Sequence, residues 1–249
     1  QGTAAHGHDD GCEALARLLR RRGMRIAVLS LDDLYLSRNA RAQLAARVHP
    51  LFATRGPPGT HDVAQGLKLF DALSGTGDVA LPRFDKAMDE PTPADHWPQI
   101  KTPADLILFE GWCVGAVPEA APALDLPVNR LEAEKDPTGV WRAYANDALA
   151  GPYQDLFSRI DHLTLLRAPS FEVVAEWRWR QEERLRARLQ AQGNDASRTM
   201  DRAQIAAFIQ LYERLTRHIL ATLPDRADLV VDLEADQSMR LAGPRPPTG

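Results

Sequence analysis

Four short apolar runs constrain this chain more than any other feature of its sequence. MRIAVLSL (24–31) is nearly continuous in aliphatic residues, the pattern of a parallel strand buried on both faces. DLILFEGW (105–112) repeats it and closes on an acid, and HLTLLRAP (162–169) and ADLVVDLE (227–234) supply a third and a fourth. Ahead of the first run, residues 13–22 read as a helix, with Leu15, Leu18 and Leu19 on one face, arginines on the other and Gly23 as the stop. Helix, tight turn and buried strand in alternation is the α/β rhythm. Further helices read at 63–74, at 171–192, which is strongly charged, and at 202–223, where Ile205, Phe208, Ile209, Tyr212 and Leu215 share one side.

A chain of 249 residues fits one α/β domain. Residues 1–241 read as that single domain, and the Pro/Gly-rich stretch 242–249 as a disordered tail. A net charge of −4 gives no electrostatic case for nucleic acid as a partner. No apolar run approaches the roughly 18–20 residues that cross a bilayer, and no signal peptide opens the chain. Cys12 and Cys113 form neither a disulfide framework nor a metal-spaced cluster, so a cytoplasmic protein is expected. Oligomeric state is not legible.

In an open parallel sheet, ligands bind beyond the carboxyl ends of the strands. Asp32 and Asp33 follow one strand and Glu110 ends another, so the three acids converge on one sheet edge. A strand-end carboxylate can reach the Mg²⁺ of a nucleotide, and an aspartate past a neighbouring strand can accept a proton from an attacking hydroxyl. The bland alternatives are a solvated acid at Glu110 and a helix N-cap at Asp32 and Asp33. The loop HPLFATRGPPGTHDV (49–63) is too long for a mere connector, and is either a substrate contact or a flexible surface loop. LPRFDKAMDE (81–90) groups Arg83, Asp85 and Lys86, which could hold an anionic substrate or form a local salt-bridge cluster. Arg178 and Arg180 lie in the charged helix, which is either a solvated face or a lid closing on a transferred phosphoryl group.

Taken together and in order, SLDDLYL (30–36), 49–63, 81–90, LILFEGWCVGA (106–116), NRLEAEKDPTGVWRAYAN (129–146), APSFEVVAEWRWRQEERLR (168–186) and FIQLYERLTRHIL (208–220) resemble the plant-type D-glycerate 3-kinases. These are P-loop kinases, related to uridine kinase and phosphoribulokinase. The resemblance implies an α/β fold in which a P-loop NTPase-type parallel sheet is sandwiched between helices, with a lid at about 168–200. It also implies transfer of phosphate from ATP, with Mg²⁺, to a small hydroxy acid, D-glycerate on its 3-hydroxyl being the first candidate. Asp32 would be the base, with Asp33 beside it holding metal or substrate and Tyr35 lining the acceptor pocket. Glu110 would act at the Mg²⁺ site, and His61 would lie near the acceptor. Arg83 and Lys86, with Asp85 between them, would meet the substrate carboxylate or the phosphates, and Arg178 and Arg180 would belong to the lid.

The same resemblance calls for a Gly-x-x-Gly-x-Gly-Lys-Ser/Thr loop before the first helix, preceded by a strand. Aligned backwards from LARLLRRRG, Gly11 falls on the last loop glycine, Cys12 on the lysine, and Glu13 and Ala14 on the Ser–Thr pair. The side chains that touch phosphate and Mg²⁺ are therefore absent there, and the chain opens without the strand. A fragment, a kinase-like binding module that does not transfer, and a divergent loop helped by Arg17 are the three explanations. A kinase of the same fold acting on a nucleoside, pantothenate or a sugar is the alternative for the substrate.

Overall fold

The computed structural model describes residues 6–192 and 199–241, with side chains from residue 11 onward. The tail expected at 242–249 and residues 193–198 of the expected lid lie outside the described residues. In order the elements are α1 (His6–Arg20), β1 (Ile26–Ser30), α2 (Arg38–Arg47), α3 (Val63–Ser74), β2 (Gly77–Ala80), β3 (Phe84–Asp85), β4 (Glu90–Pro91), β5 (Gln99–Thr102) and β6 (Leu106–Glu110). They continue as α4 (Arg130–Lys135), α5 (Val140–Ala150), α6 (Pro152–Phe157), β7 (Thr164–Arg167), α7 (Phe171–Ala191), α8 (Arg202–Thr222), β8 (Leu229–Leu233) and β9 (Met239–Leu241).

The fold is mixed α/β. β1 and β6 pair in parallel with Ile26 opposite Leu106 and Ser30 opposite Glu110. β7 and β8 form a second parallel pair, extended by the antiparallel β9. Among the described residues the two pairs are not hydrogen-bonded to each other. They nevertheless feed one core, in which Ala27 and Leu29 of β1, Leu165 of β7, Leu69, Phe70 and Leu73 of α3 and Ile219 of α8 cluster together. The opposite face of β1 carries Ile26 and Val28, which look onto Glu13 and Arg20 of α1. Ile26 is buried there and Val28 half-buried, so β1 is covered fully on the core face and in part on the other. β6 and β8 are only half-buried, with Leu106 and Leu229 exposed, which corrects the expectation of full burial. Each apolar side chain fully covered contributes about 1.5–3 kcal/mol, and these two strands collect only part of that.

Polar contacts fix the register at the strand entrances. The Arg25 backbone N–H donates to Asp105 at 2.7 Å and its guanidinium pairs with the same carboxylate at 2.8 Å, bracketing the starts of β1 and β6. Leu163 N–H on Asp228 and Arg167 on Asp232 do the same for β7 and β8. Two antiparallel hairpins, β2 with β5 and β3 with β4, form an arm beside β1.

Candidate active site

The site grows from the end of β1. Ser30 Oγ accepts from the backbone of Asp32 and caps the short 3-10 turn of residues Leu31–Leu34. Leu31 and Leu34 are buried, so the turn is anchored from below and Asp32 and Asp33 stand outward. Glu110 sits opposite Ser30 in the parallel ladder, two residues from Asp32. The convergence of Asp32 and Glu110 on one edge, expected from the sequence, is therefore met. Gly111 makes the approach possible: a Cβ there would come within 2.7 Å of Leu31 Cβ and 3.0 Å of Val114 Cγ2.

The two aspartates have different partners. Asp32 Oδ2 lies 2.7 Å from Lys86 Nζ. Asp33 Oδ1 accepts the Phe84 N–H at 3.0 Å and its Oδ2 meets Arg83 at 3.3 Å, so this carboxylate fastens the arm to the turn. Asp33, expected to hold metal or substrate, has its two oxygens on donors from Phe84 and Arg83. Asp85 likewise accepts from the backbones of Ala87 and Met88, shaping the tip that presents Lys86. Its carboxylate builds a turn, where a substrate contact was expected.

The 49–63 loop is a wall and not a flexible connector. Leu36 N–H donates to Thr60 O, Asp62 N–H to Leu34 O, and Tyr35 and His61 form a β-bridge, so the loop is laced to the aspartate turn. Phe52, Pro57, Thr60 and His61 are buried in it. The Tyr35 ring stacks on His61 at 4.4 Å and meets Phe84 edge-on at 5.4 Å. Burial, aided by Asp32, holds the Tyr35 phenol well above its ordinary pKa. Burial also pushes the His61 imidazole down to about 4 against the opposing pull of Asp32, so the ring is neutral.

Several residues of the site had no signal in the sequence. Arg55 pairs with Asp89 at 2.6 Å and lies over the Phe84 ring, 5.7 Å from its centroid. Arg41, fully buried, bonds the other oxygen of Asp89 and the carbonyls of Leu36 and Ala53. Tyr212 of α8 donates to Arg55 O at 3.1 Å and packs edge-on against Trp112. Gly56, at φ +130°, has no room for a Cβ beside that phenol. Such ion pairs join residues tens of positions apart, and no periodicity announces them.

The two lid arginines separate. Arg178 pairs with Glu182 at 2.9 Å, and its charge reaches Tyr212 at the site. Arg180 pairs with Glu176, which Arg202 of α8 also engages. Its side chain is 52% exposed.

No protein-family model matches the chain. It is 28% identical over 241 residues to an uncharacterized kinase, mug58, of Schizosaccharomyces pombe, covering 92% of this chain and 82% of that protein. It is 26% identical over 255 residues to the chloroplastic D-glycerate 3-kinase of Arabidopsis thaliana, covering 92% of this chain and 50% of that protein. The chain is a homologue of D-glycerate 3-kinase. Among solved structures, D-glycerate 3-kinase from Cryptococcus neoformans aligns over 90% of this chain and 81% of its own, with a TM-score of 0.71 at 23% identity, so the fold is shared.

Against that kinase fold, the segment aligned with a phosphate loop stands out. Gly11, expected as its last glycine, lies inside α1 with open space around it, and Cys12, Glu13 and Ala14 continue the helix. One interior glycine costs a helix only about 1 kcal/mol, and Ala14, Leu15, Ala16 and Leu18 are strong helix formers that offset it. Arg17, the possible stand-in cation, turns its guanidinium to Glu13 O of the same helix. Residues 11–14 therefore do not fit a triphosphate cradle. No group of three His, Cys, Asp or Glu gathers among the described residues. Mg²⁺ in nucleotide sites needs only one or two carboxylates, with phosphate and water oxygens completing its shell. Glu110, at the end of β6, is a carboxylate of that kind, and Asp33 is the other that stands at this sheet edge.

Proposed function

We propose that this chain is a small-molecule kinase whose acceptor is a hydroxy acid, with D-glycerate phosphorylated on its 3-hydroxyl. The observation that carries the reading is Asp32, just past β1, beside Glu110 at the end of the strand paired with it. Asp32 is the group that takes the hydroxyl proton as the alcohol attacks. Lys86, 2.7 Å from Asp32, and Arg83 at the arm's root are the cations that meet the acid's carboxylate. Tyr35, Phe84 and the 49–63 loop close the sides of the cleft and exclude water. A bound magnesium nucleotide would supply the phosphoryl group, with Glu110 as the metal-side carboxylate. The name of the Arabidopsis relative supports D-glycerate as acceptor.

The helical course of Gly11 to Ala14 favours a second reading, a kinase-like module that binds the acid without transferring phosphate. ADP release by the purified chain, measured with D-glycerate, uridine, pantothenate and fructose, tests both. Release that depends on D-glycerate is the expected result. Turnover of another acceptor but not D-glycerate refutes the substrate. Calorimetric binding of D-glycerate with no turnover and no heat from Mg-ATP refutes the kinase and supports the module.

A further inference from the structure

His61 is 5% exposed, yet among the described residues its Nε2 has neither a partner nor solvent contact. Its Nδ1 is 2.5 Å from the Tyr153 hydroxyl, which also accepts the Gly59 N–H at 3.0 Å. That oxygen already has a donor in Gly59, and Tyr153 is 1% exposed, so among the described residues its own proton has His61 Nδ1 as the acceptor in hydrogen-bond reach. A neutral imidazole that accepts at Nδ1 carries its hydrogen on Nε2. The ring cannot escape this by taking a second proton, because burial keeps it neutral. Nor can it turn freely, because Tyr35 is stacked on its face at 4.4 Å. The chain Gly59 N–H to Tyr153 O–H to His61 thus ends in one fixed donor with nothing to donate to. A buried polar group without a partner is unfavourable and calls for an explanation. The ring is linked to Asp32 through one residue: Tyr35 stacks on it and bonds Asp32 through its own side chain, and the Asp32 charge is felt at His61.

From this geometry we infer that Tyr153 is a positioning residue that sets the tautomer of His61, and that His61 Nε2–H is a specificity donor for an oxygen of the phosphate acceptor. The inference rests on the reading of the cleft as an acceptor site and deepens it. It assigns Tyr153, on α6 and far from the aspartates in sequence, a part in substrate choice. The chemistry selected is a hydroxyl or carboxylate oxygen with a free lone pair. A group that only donates would face a second donor and be refused.

Nitrogen-15 spectra of the histidine rings in the full chain at pH 7 provide the test, with His61 identified by its loss in His61→Gln. The expected result is a protonated Nε2 and a bare Nδ1; a protonated Nδ1 overturns the inference. Titration with D-glycerate, uridine, pantothenate and ribose should then move the His61 Nε2–H resonance. Binding that leaves it unmoved, or a panel in which nothing moves it, also overturns the inference. Movement by another acceptor but not by D-glycerate upholds the donor and refutes D-glycerate as the substrate. Tyr153→Phe should mix the tautomers and weaken the responding acceptor about tenfold, and an unchanged single tautomer removes Tyr153 from the role. His61→Gln keeps a donor near the Nε2 position, whereas His61→Asn keeps only the Nδ1 side. Asn should therefore bind about tenfold more weakly than Gln, and equal affinities argue against the donor independently of how Tyr153→Phe folds.

Discussion

Gly111→Ala probes the contact that brings the two key acids together. The added methyl would sit 2.7 Å from Leu31 Cβ and 3.0 Å from Val114 Cγ2, and the first neighbour is a rigid stem atom and not the end of a flexible chain. Neither Leu31, with no exposed surface, nor the ladder between Ser30 and Glu110 has slack to absorb about 1 Å. Overpacking of this kind costs about 1–3 kcal/mol. At about 2–4 °C per kcal/mol for a domain of this size, Tm should fall by about 2–12 °C. The displacement acts on the Asp32 turn, so ADP release should drop further than stability alone explains at a temperature where the variant stays folded. Differential scanning calorimetry and acceptor-dependent turnover, measured on the same preparation, give both quantities. A variant with the parent Tm and the parent kcat would refute the claim that Gly111 sets the spacing of Asp32 and Glu110.

Three further outcomes are expected. Asp32→Asn should lower kcat by about 10²–10⁴-fold while calorimetry shows acceptor binding retained; parent-like turnover excludes it as the base. Gly11→Ala, inside α1 with nothing within 4 Å of the new Cβ, should raise stability by about 0.5–1 kcal/mol, and a destabilised protein would mean the backbone there is not helical. The pKa of His61 is depressed to about 4, so the unfolded chain takes up a proton below about 6.5 that the native state refuses. Stability should therefore decline as pH falls from about 6.5 to about 4, by up to about 3 kcal/mol, and the His61→Gln variant should show a flatter Tm profile across that window.

The strands and the long helices were legible because apolar periodicity is their physical cause. α3 matches the expected 63–74, and α7 and α8 differ from expectation by about one residue at their ends. The acid pair was legible for the same reason: once two parallel strands are known, their carboxyl ends coincide. What escaped was held by charge and shape. α2 carries the sequence RNARAQLAAR with a fully buried arginine, so it offers no clean apolar stripe. The hairpins of the arm are two to four residues long and leave no alternation to read. At Asp33 and Asp85 the backbone bonds were invisible, because composition cannot tell a carboxylate aimed at a substrate from one bonded to its neighbours' amides. Half-burial of β6 and β8 was likewise invisible, since an apolar run records what a strand can bury and not what covers it.

The arm is pinned at two places, at its base by Asp33 on Phe84 and Arg83, and at its far end by Asp89 between Arg41 and Arg55. Prying it open would sever several ionic bonds at once, one of them to a guanidinium with no water to fall back on. The hairpin is therefore a jamb and not a door. α7 is tethered too, by Arg217 on Glu172, Arg202 on Glu176 and the Met200 N–H on Glu182, so the walls on both flanks are latched by charge.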